Sequence, residues 1–166
     1  MKVTVKRSFA AALALCAGPA LAEMSLYEKS GDWNVFRNAA TGGCMIENGD
    51  NNGHIVQMGV GKPDLPFGYV AMYSKDFTPL ENGERRDIVI DLDGSQYSAV
   101  AIGVTEGITP GFYGGLFELD NPDLVRDLAE KSTLTVNPGE ETSFDIDLDG
   151  TKDAMAVGFE CLNAES

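Results

Sequence analysis

The sequence predicts a mainly β domain, a β-sandwich or partly open barrel of about nine short strands with two short helices, one of them C-terminal. Three observations predict it. Short apolar runs rich in β-branched and aromatic residues recur along the chain, each bounded by Gly, Pro, Asn or Asp. Two of these runs meet at Asp93-Gly94, a dipeptide whose residues tolerate the positive φ of a tight hairpin. Only two segments carry helical spacing, and one of them opens on Asn-Pro, a helix start.

The first segment is an address. Lys2, Lys6 and Arg7 precede the apolar run Phe9 to Ala17, and Ala20-Leu21-Ala22 offers small residues where a signal peptidase reads. The run is too short to span a bilayer, which takes about 20 residues. Residues 1–22 therefore read as a cleavable signal peptide and 23–166 as a single β-rich domain, periplasmic or secreted, with no membrane span. A lipoprotein signal acylated at Cys16 is the rival, but Leu15 stands where a small residue is wanted.

The strands follow in order. Trp33 to Phe36 comes after Gly31-Asp32, Cys44 to Ile46 after Gly42-Gly43, Ile55 to Val60 after the Asn/Gly/Asp loop at 48–53, and Tyr69 to Tyr73 after Pro66-Phe67-Gly68. Asp87 to Leu92 and Ser95 to Val104 form the Asp-Gly hairpin, and Gly114 to Leu119 reads as the next strand. A helix from Asn121 as N-cap through Lys131 places Leu124, Val125, Leu128 and Ala129 on one face. Thr133 to Val136 and Ser143 to Leu148 read as strands joined by Asn137-Pro138-Gly139. Thr151 to Leu162 reads as a second helix with Thr151 as its cap, although Gly158 disfavours it.

The charge narrows the function classes. Twenty-six acidic residues against twelve basic ones leave a net charge of −14, and signal cleavage removes three of the basic residues and no acidic one. So negative a domain repels nucleic acid and anionic membrane, and suits basic partners, cations or a salty medium. The two cysteines beyond the signal, Cys44 and Cys161, lack Cys-x-x-Cys spacing and are expected to form a structural disulfide in an oxidising compartment.

No catalytic constellation emerges. His54 is the only histidine and reads as a turn residue beside Asn51 and Asn52. The serines lie in no nucleophile-elbow context, and Gly111 to Gly115 lacks the Lys and helix of a phosphate loop. The chain is read as non-enzymatic. Ile-Asp-Leu-Asp-Gly occurs at 90–94 and again at 146–150, a convergence on strand-then-turn chemistry. The second copy lies in Asp145, Asp147, Asp149 and Asp153 at calcium-loop spacing, but Ala156 replaces the bidentate Glu of such a loop. Its first reading is a solvated acidic strand face. Calcium binding follows only if this strand lies beside Asp91 and Asp93, where crowded carboxylates would want a cation. For recognition, the loop 105–115 carries Ile108, Phe112 and Tyr113 among glycines. The sequence leaves open whether the two aromatics face solvent or turn inward with the next strand.

Ser30-Gly31-Asp32-Trp33-Asn34-Val35 resembles the Gly-Asp-Trp-x-Val opening of the invasion-associated locus B family of alphaproteobacterial periplasmic proteins. Cys44, the run Ile55 to Val60, the segment Phe117-Glu118-Leu119 before the Pro122 helix, and the close Ser143 to Met155 are similar to that family in the same order. That family's mid-chain cysteine pair has no counterpart here, and its closing Gly-Phe becomes Gly150-Thr151. The resemblance implies a secreted, cysteine-stabilised β domain with an envelope or host-surface role, and no catalytic residue to carry over. The expected function is thus a binding domain for a protein or envelope component, with a basic partner the one its charge suits. The alternatives are an inhibitor of a cationic hydrolase such as lysozyme and a calcium-binding structural protein.

Overall fold

A computed structural model describes residues 24–50, 53–60, 67–75, 80–106, 108–141 and 143–164. The signal peptide, its cleavage after Ala22, the rival site at Cys16, and Asn51 and Asn52 lie outside the described residues.

The described residues form ten strands and two helices: β1 Met24–Ser30, β2 Trp33–Asn38, β3 Cys44–Gly49, β4 Ile55–Val60, β5 Phe67–Ser74, β6 Arg85–Leu92, β7 Ser95–Gly103, β8 Tyr113–Glu118, α1 Pro122–Glu130, β9 Thr133–Val136, β10 Phe144–Asp147 and α2 Thr151–Asn163. All ten strands belong to one antiparallel sheet in the order β1-β2-β3-β4-β5-β8-β7-β6-β9-β10. Of the two expected architectures, the partly open one is adopted; among the described residues there is no second sheet for a sandwich. The strand the sequence does not announce is β1. Its residues are exposed on both sides of the strand, so no alternation marks it, and a bulge between Leu26 and Glu28 breaks its register.

Elsewhere the period-2 pattern is clear. In β6, Ile88, Ile90 and Leu92 are buried while Arg85, Asp87 and Val89 are exposed, and β9 and β10 bury Leu134, Val136 and Ile146. These side chains meet Trp33, Val35, Ile46, Met58, Val70 and Phe117 in one core. The Asp93-Gly94 turn has φ of 46° and 92°, as its composition requires. At the repeat's second copy, Gly150 (φ 81°) leads into α2 instead.

Both helices cover the inner face. Asn121 caps α1 by accepting from the Asp123 amide, with Pro122 in its first turn, as expected. Leu124 and Leu128 are buried, and Asp127 is buried with them. The N-terminus of α2 differs from expectation. Gly150 occupies the cap position, and the Thr151 hydroxyl turns back to the Leu148 carbonyl, because the left-handed step at Gly150 aims the chain away from a side-chain cap. Gly158, unfavourable by helix propensity, lies against Val60 and Ile46, where it lets α2 approach the sheet closely.

Three links hold α2 and the final turn to the opening strands. Cys44 and Cys161 form a disulfide with their Cα atoms 6.2 Å apart. Arg37 donates to the carbonyls of Cys161 and Ala164, both at 3.0 Å, placing a cation at the C-terminus of α2. The Trp33 indole Nε1 donates to the Asp149 carbonyl at 2.8 Å.

Candidate functional site

Cross-strand registers place the outward-facing side chains. On a solvated sheet face these positions ordinarily read polar. One row runs Leu26, Phe36, Met45, Gly59, Tyr69 and Glu118 across β1, β2, β3, β4, β5 and β8. The Tyr69 ring lies over Gly59, and any Cβ at that position would run into it. The outer side of the first five strands therefore carries an unbroken apolar and aromatic band. It ends at the edge strand β1, where Leu26 is 52 % exposed. The adjacent row, Asn34, Glu47, Gln57, Ala71, Leu116 and Ile102, sets a Glu47–Gln57 hydrogen bond of 2.7 Å beside the band. Tyr73 belongs to the same outer surface, and burial, helped by neighbouring Tyr69 and Glu47, pushes its phenol up to about 12. Burial also raises Tyr69.

The outer side of the other half of the sheet is mixed, with Val89 and Val100 exposed among polar side chains. Arg85, Asp87 and Asp91 project from β6, Gln96 and Ser98 from β7, and the threonines and aspartates from β9 and β10. The expected cation site lies here, and its parts are spread. Asp91 and Asp145 both face Thr135, one from each side, because β9 stands between β6 and β10. Two strand spacings, about 9–10 Å, separate them, so the condition for crowding is not met. Four of these aspartates already hold a protein donor. Asp145 accepts from Thr135 Oγ1 (2.6 Å), Asp147 from the Asp149 amide (2.8 Å), Asp91 from the Gly94 amide (2.7 Å) and Asp93 from the Ser132 amide (2.8 Å). Asp149 and Asp153 are exposed, with Asp153 in the first turn of α2. Asp145, Asp147 and Asp149 do share an open depression with Asp50, a residue sequence reasoning passed over. Among the described residues no three His, Cys, Asp or Glu side chains converge as a metal would require.

His54 is held at its turn. Its Nδ1 is 2.8 Å from Asp50 Oδ2, its amide donates to Asp50 Oδ1, and its ring centroid lies 5.1 Å from that of Phe144 on β10. The proposed recognition loop divides its aromatics. Phe112 is half-buried, with Lys75 Nζ 5.2 Å from its ring centroid in a cation–π contact. Tyr113 opens β8 opposite Ser74 and stays 41 % exposed, while Ile108 is half-buried.

A buried carboxylate on α1 also went unread. Asp127 accepts from the Tyr97 hydroxyl at 2.8 Å and from Arg126 at 3.3 Å, tying α1 to β7. The Tyr97 bond, helped by Ser95 and Arg126, holds its carboxyl below the usual range against the opposing effect of burial. The signal was present in the sequence as an acidic residue between the apolar positions of an amphipathic helix, but periodicity alone assigns such a residue to solvent.

No protein family, curated protein or solved structure matches the chain. The disulfide fits an oxidising compartment, and no described helix is long and apolar enough to cross a membrane.

Proposed function

We propose that the chain is a binding domain of the periplasm or extracellular medium, acting on a protein or envelope component by contact and without chemistry of its own. The observation that carries this reading is the apolar band from Leu26 to Tyr69, set on the outer side of a strongly acidic domain. Apolar surface of that kind, continuous across five strands, is what a partner covers. The net charge of −14 steers cationic partners toward it. The resemblance to the invasion-associated locus B family points to the same compartment and the same kind of role.

The test is a photo-crosslinking residue placed at Met45 in the band and, as control, at Val89 on the outer side of β6. Incubation with the native envelope or secreted fraction is expected to yield one discrete adduct from position 45 and none from 89. Equal adducts from both positions, or none from either, would sink the proposal. A narrower version makes the partner a cationic hydrolase, favoured by the acidic Glu47 beside the band and Glu118 at its end. Salt-sensitive binding to lysozyme would support that version, and its absence would remove it.

A further inference from the structure

The sheet has a split wall. β7 pairs with β6 along eight residues, from Leu92↔Ser95 to Arg85↔Ile102, but pairs with β8 only at Ile102↔Leu116 and Gly103↔Gly115. Beyond Ile102 the two strands part. β8 stays with β5, through Val70↔Phe117 and Tyr69↔Glu118, and α1 begins beneath the gap. The opening holds a cleft of about 310 Å³ lined by Tyr97, Phe117 and Leu124 below and by Arg85, Glu118 and Asp120 at its rim, among others.

Backbone parity shows what β7 presents to this cleft. Leu92 and Ser95 flank a two-residue turn, and such a closing pair exchanges both its hydrogen bonds. Counting on from it, Tyr97, Ala99 and Ala101 bond to β6, while Gln96, Ser98, Val100 and Ile102 aim their N–H and C=O groups the other way. Ile102 meets Leu116. Gln96, Ser98 and Val100 have no strand partner on that side among the described residues. This open edge is about 16 Å long at the rise of a strand.

We infer that the slot between β7 and β8 accepts the C-terminal end of an extended peptide, which adds as a strand beside Gln96 to Val100 with its carboxylate at Arg85. The slot is V-shaped and shut at its apex by the Ile102↔Leu116 pair, so a chain running into it along β7 ends there. Arg85 pairs with Ile102 from the β6 side of β7, and its side chain lines the cleft at this end. Among the described residues it makes no ion pair, whereas Arg86 and Arg126 each hold a carboxylate. A guanidinium in that position matches a terminal carboxylate with two parallel hydrogen bonds. Along the peptide, alternate side chains drop onto Phe117 and Leu124 or rise past Glu118 and Asp120. The floor selects apolar residues and the acidic rim selects Lys or Arg. The occupant is therefore a C-terminal tail of alternating apolar and basic residues, lying parallel to β7. The slot adjoins the end of the apolar band at Glu118, and the acid-against-amide comparison at Arg85 tests its occupation without reference to that band.

The test uses the protein, labelled for amide NMR, and the hexapeptide Lys-Val-Lys-Val-Lys-Val with a free C-terminus or a C-terminal amide. The expected result is binding of the free acid, with shifts concentrated at the amides of Ser98 and Val100. The amide should bind at least about tenfold more weakly. Arg85→Gln should abolish the preference for the acid, and Glu118→Gln with Asp120→Asn should weaken both peptides. Amide spectra of the variants without peptide establish that each is folded. Equal affinity for acid and amide would overturn the carboxylate pocket. Shifts confined to other strands, or no binding at millimolar peptide, would overturn the slot.

Discussion

Replacing both Cys44 and Cys161 by alanine is the sharpest perturbation of this fold. The disulfide joins β3 to the end of α2 across a sequence separation of 117 residues. Closing a loop of that length in the unfolded chain is worth about 5 kcal/mol by the chain-entropy relation. Both side chains are almost wholly buried, so alanine is the right replacement: it leaves no polar group without a partner. Domains of this size have stabilities of roughly 5–15 kcal/mol, so the loss is a third or more of the total. With a urea slope of about 2 kcal/mol/M, the unfolding midpoint should fall by about 2.5 M. The slope itself should rise as the freed unfolded chain expands. The assay is equilibrium urea unfolding followed by circular dichroism. A midpoint within about 0.5 M of the parent would refute the assignment of the disulfide as a main support of the fold.

Other perturbations follow from single contacts. Gly158→Ala puts a Cβ 2.7 Å from Val60 Cγ2; overpacking outweighs the helix-propensity gain, so stability should drop by about 1 kcal/mol, and a stabilised variant would refute the close approach. The raised Tyr73 phenol contributes stability that is present in full below its ordinary value of about 10 and is lost as pH rises toward 12. Tyr73→Phe should flatten that alkaline loss in a pH series of melts. Asp127 has the opposite sign: its depressed carboxyl contributes stability above its ordinary value of about 4 that disappears as pH falls further. Asp127→Asn should reduce this acid sensitivity, and an unchanged acid limb would argue against the Tyr97–Asp127 tie. Because the aspartates of β6 and β10 are separated by Thr135 and hydrogen-bonded to protein donors, millimolar calcium should leave the melting temperature unchanged; a clear rise would restore the cation-binding reading.

Most of the fold is legible in the sequence wherever local chemistry and burial agree. The Asp93-Gly94 hairpin, the Asn121-Pro122 helix start, the alternating β9 and β10 and the Cys44–Cys161 pairing all follow from short-range rules or from elimination. β1 was hidden because an edge strand exposed on both sides has no alternation to display. The cap of α2 was misread because a threonine before an apolar run looks like a cap, while the deciding fact is the backbone conformation at Gly150. The candidate site was harder still. The band exists only through register, since Leu26, Phe36, Met45 and Tyr69 come from four strands and none stands out in its own segment. The slot depends on where β7 and β8 stop pairing, which no composition records. The aspartate row was legible as a row, but the intervening strand that divides it was not, because strand order departs from chain order at β6.

Trp33 has a kinetic consequence. It is the sole tryptophan, fully buried, and its indole is held by a carbonyl 116 residues further along. Contacts so distant in sequence form late, after the meander from β1 to β5 has neighbours at hand to zip with. Its fluorescence is therefore a clock for the last event of folding. The β-sheet signal should mature first and the indole emission shift to the blue in the slowest phase, when the opening hairpin and the closing helix find each other.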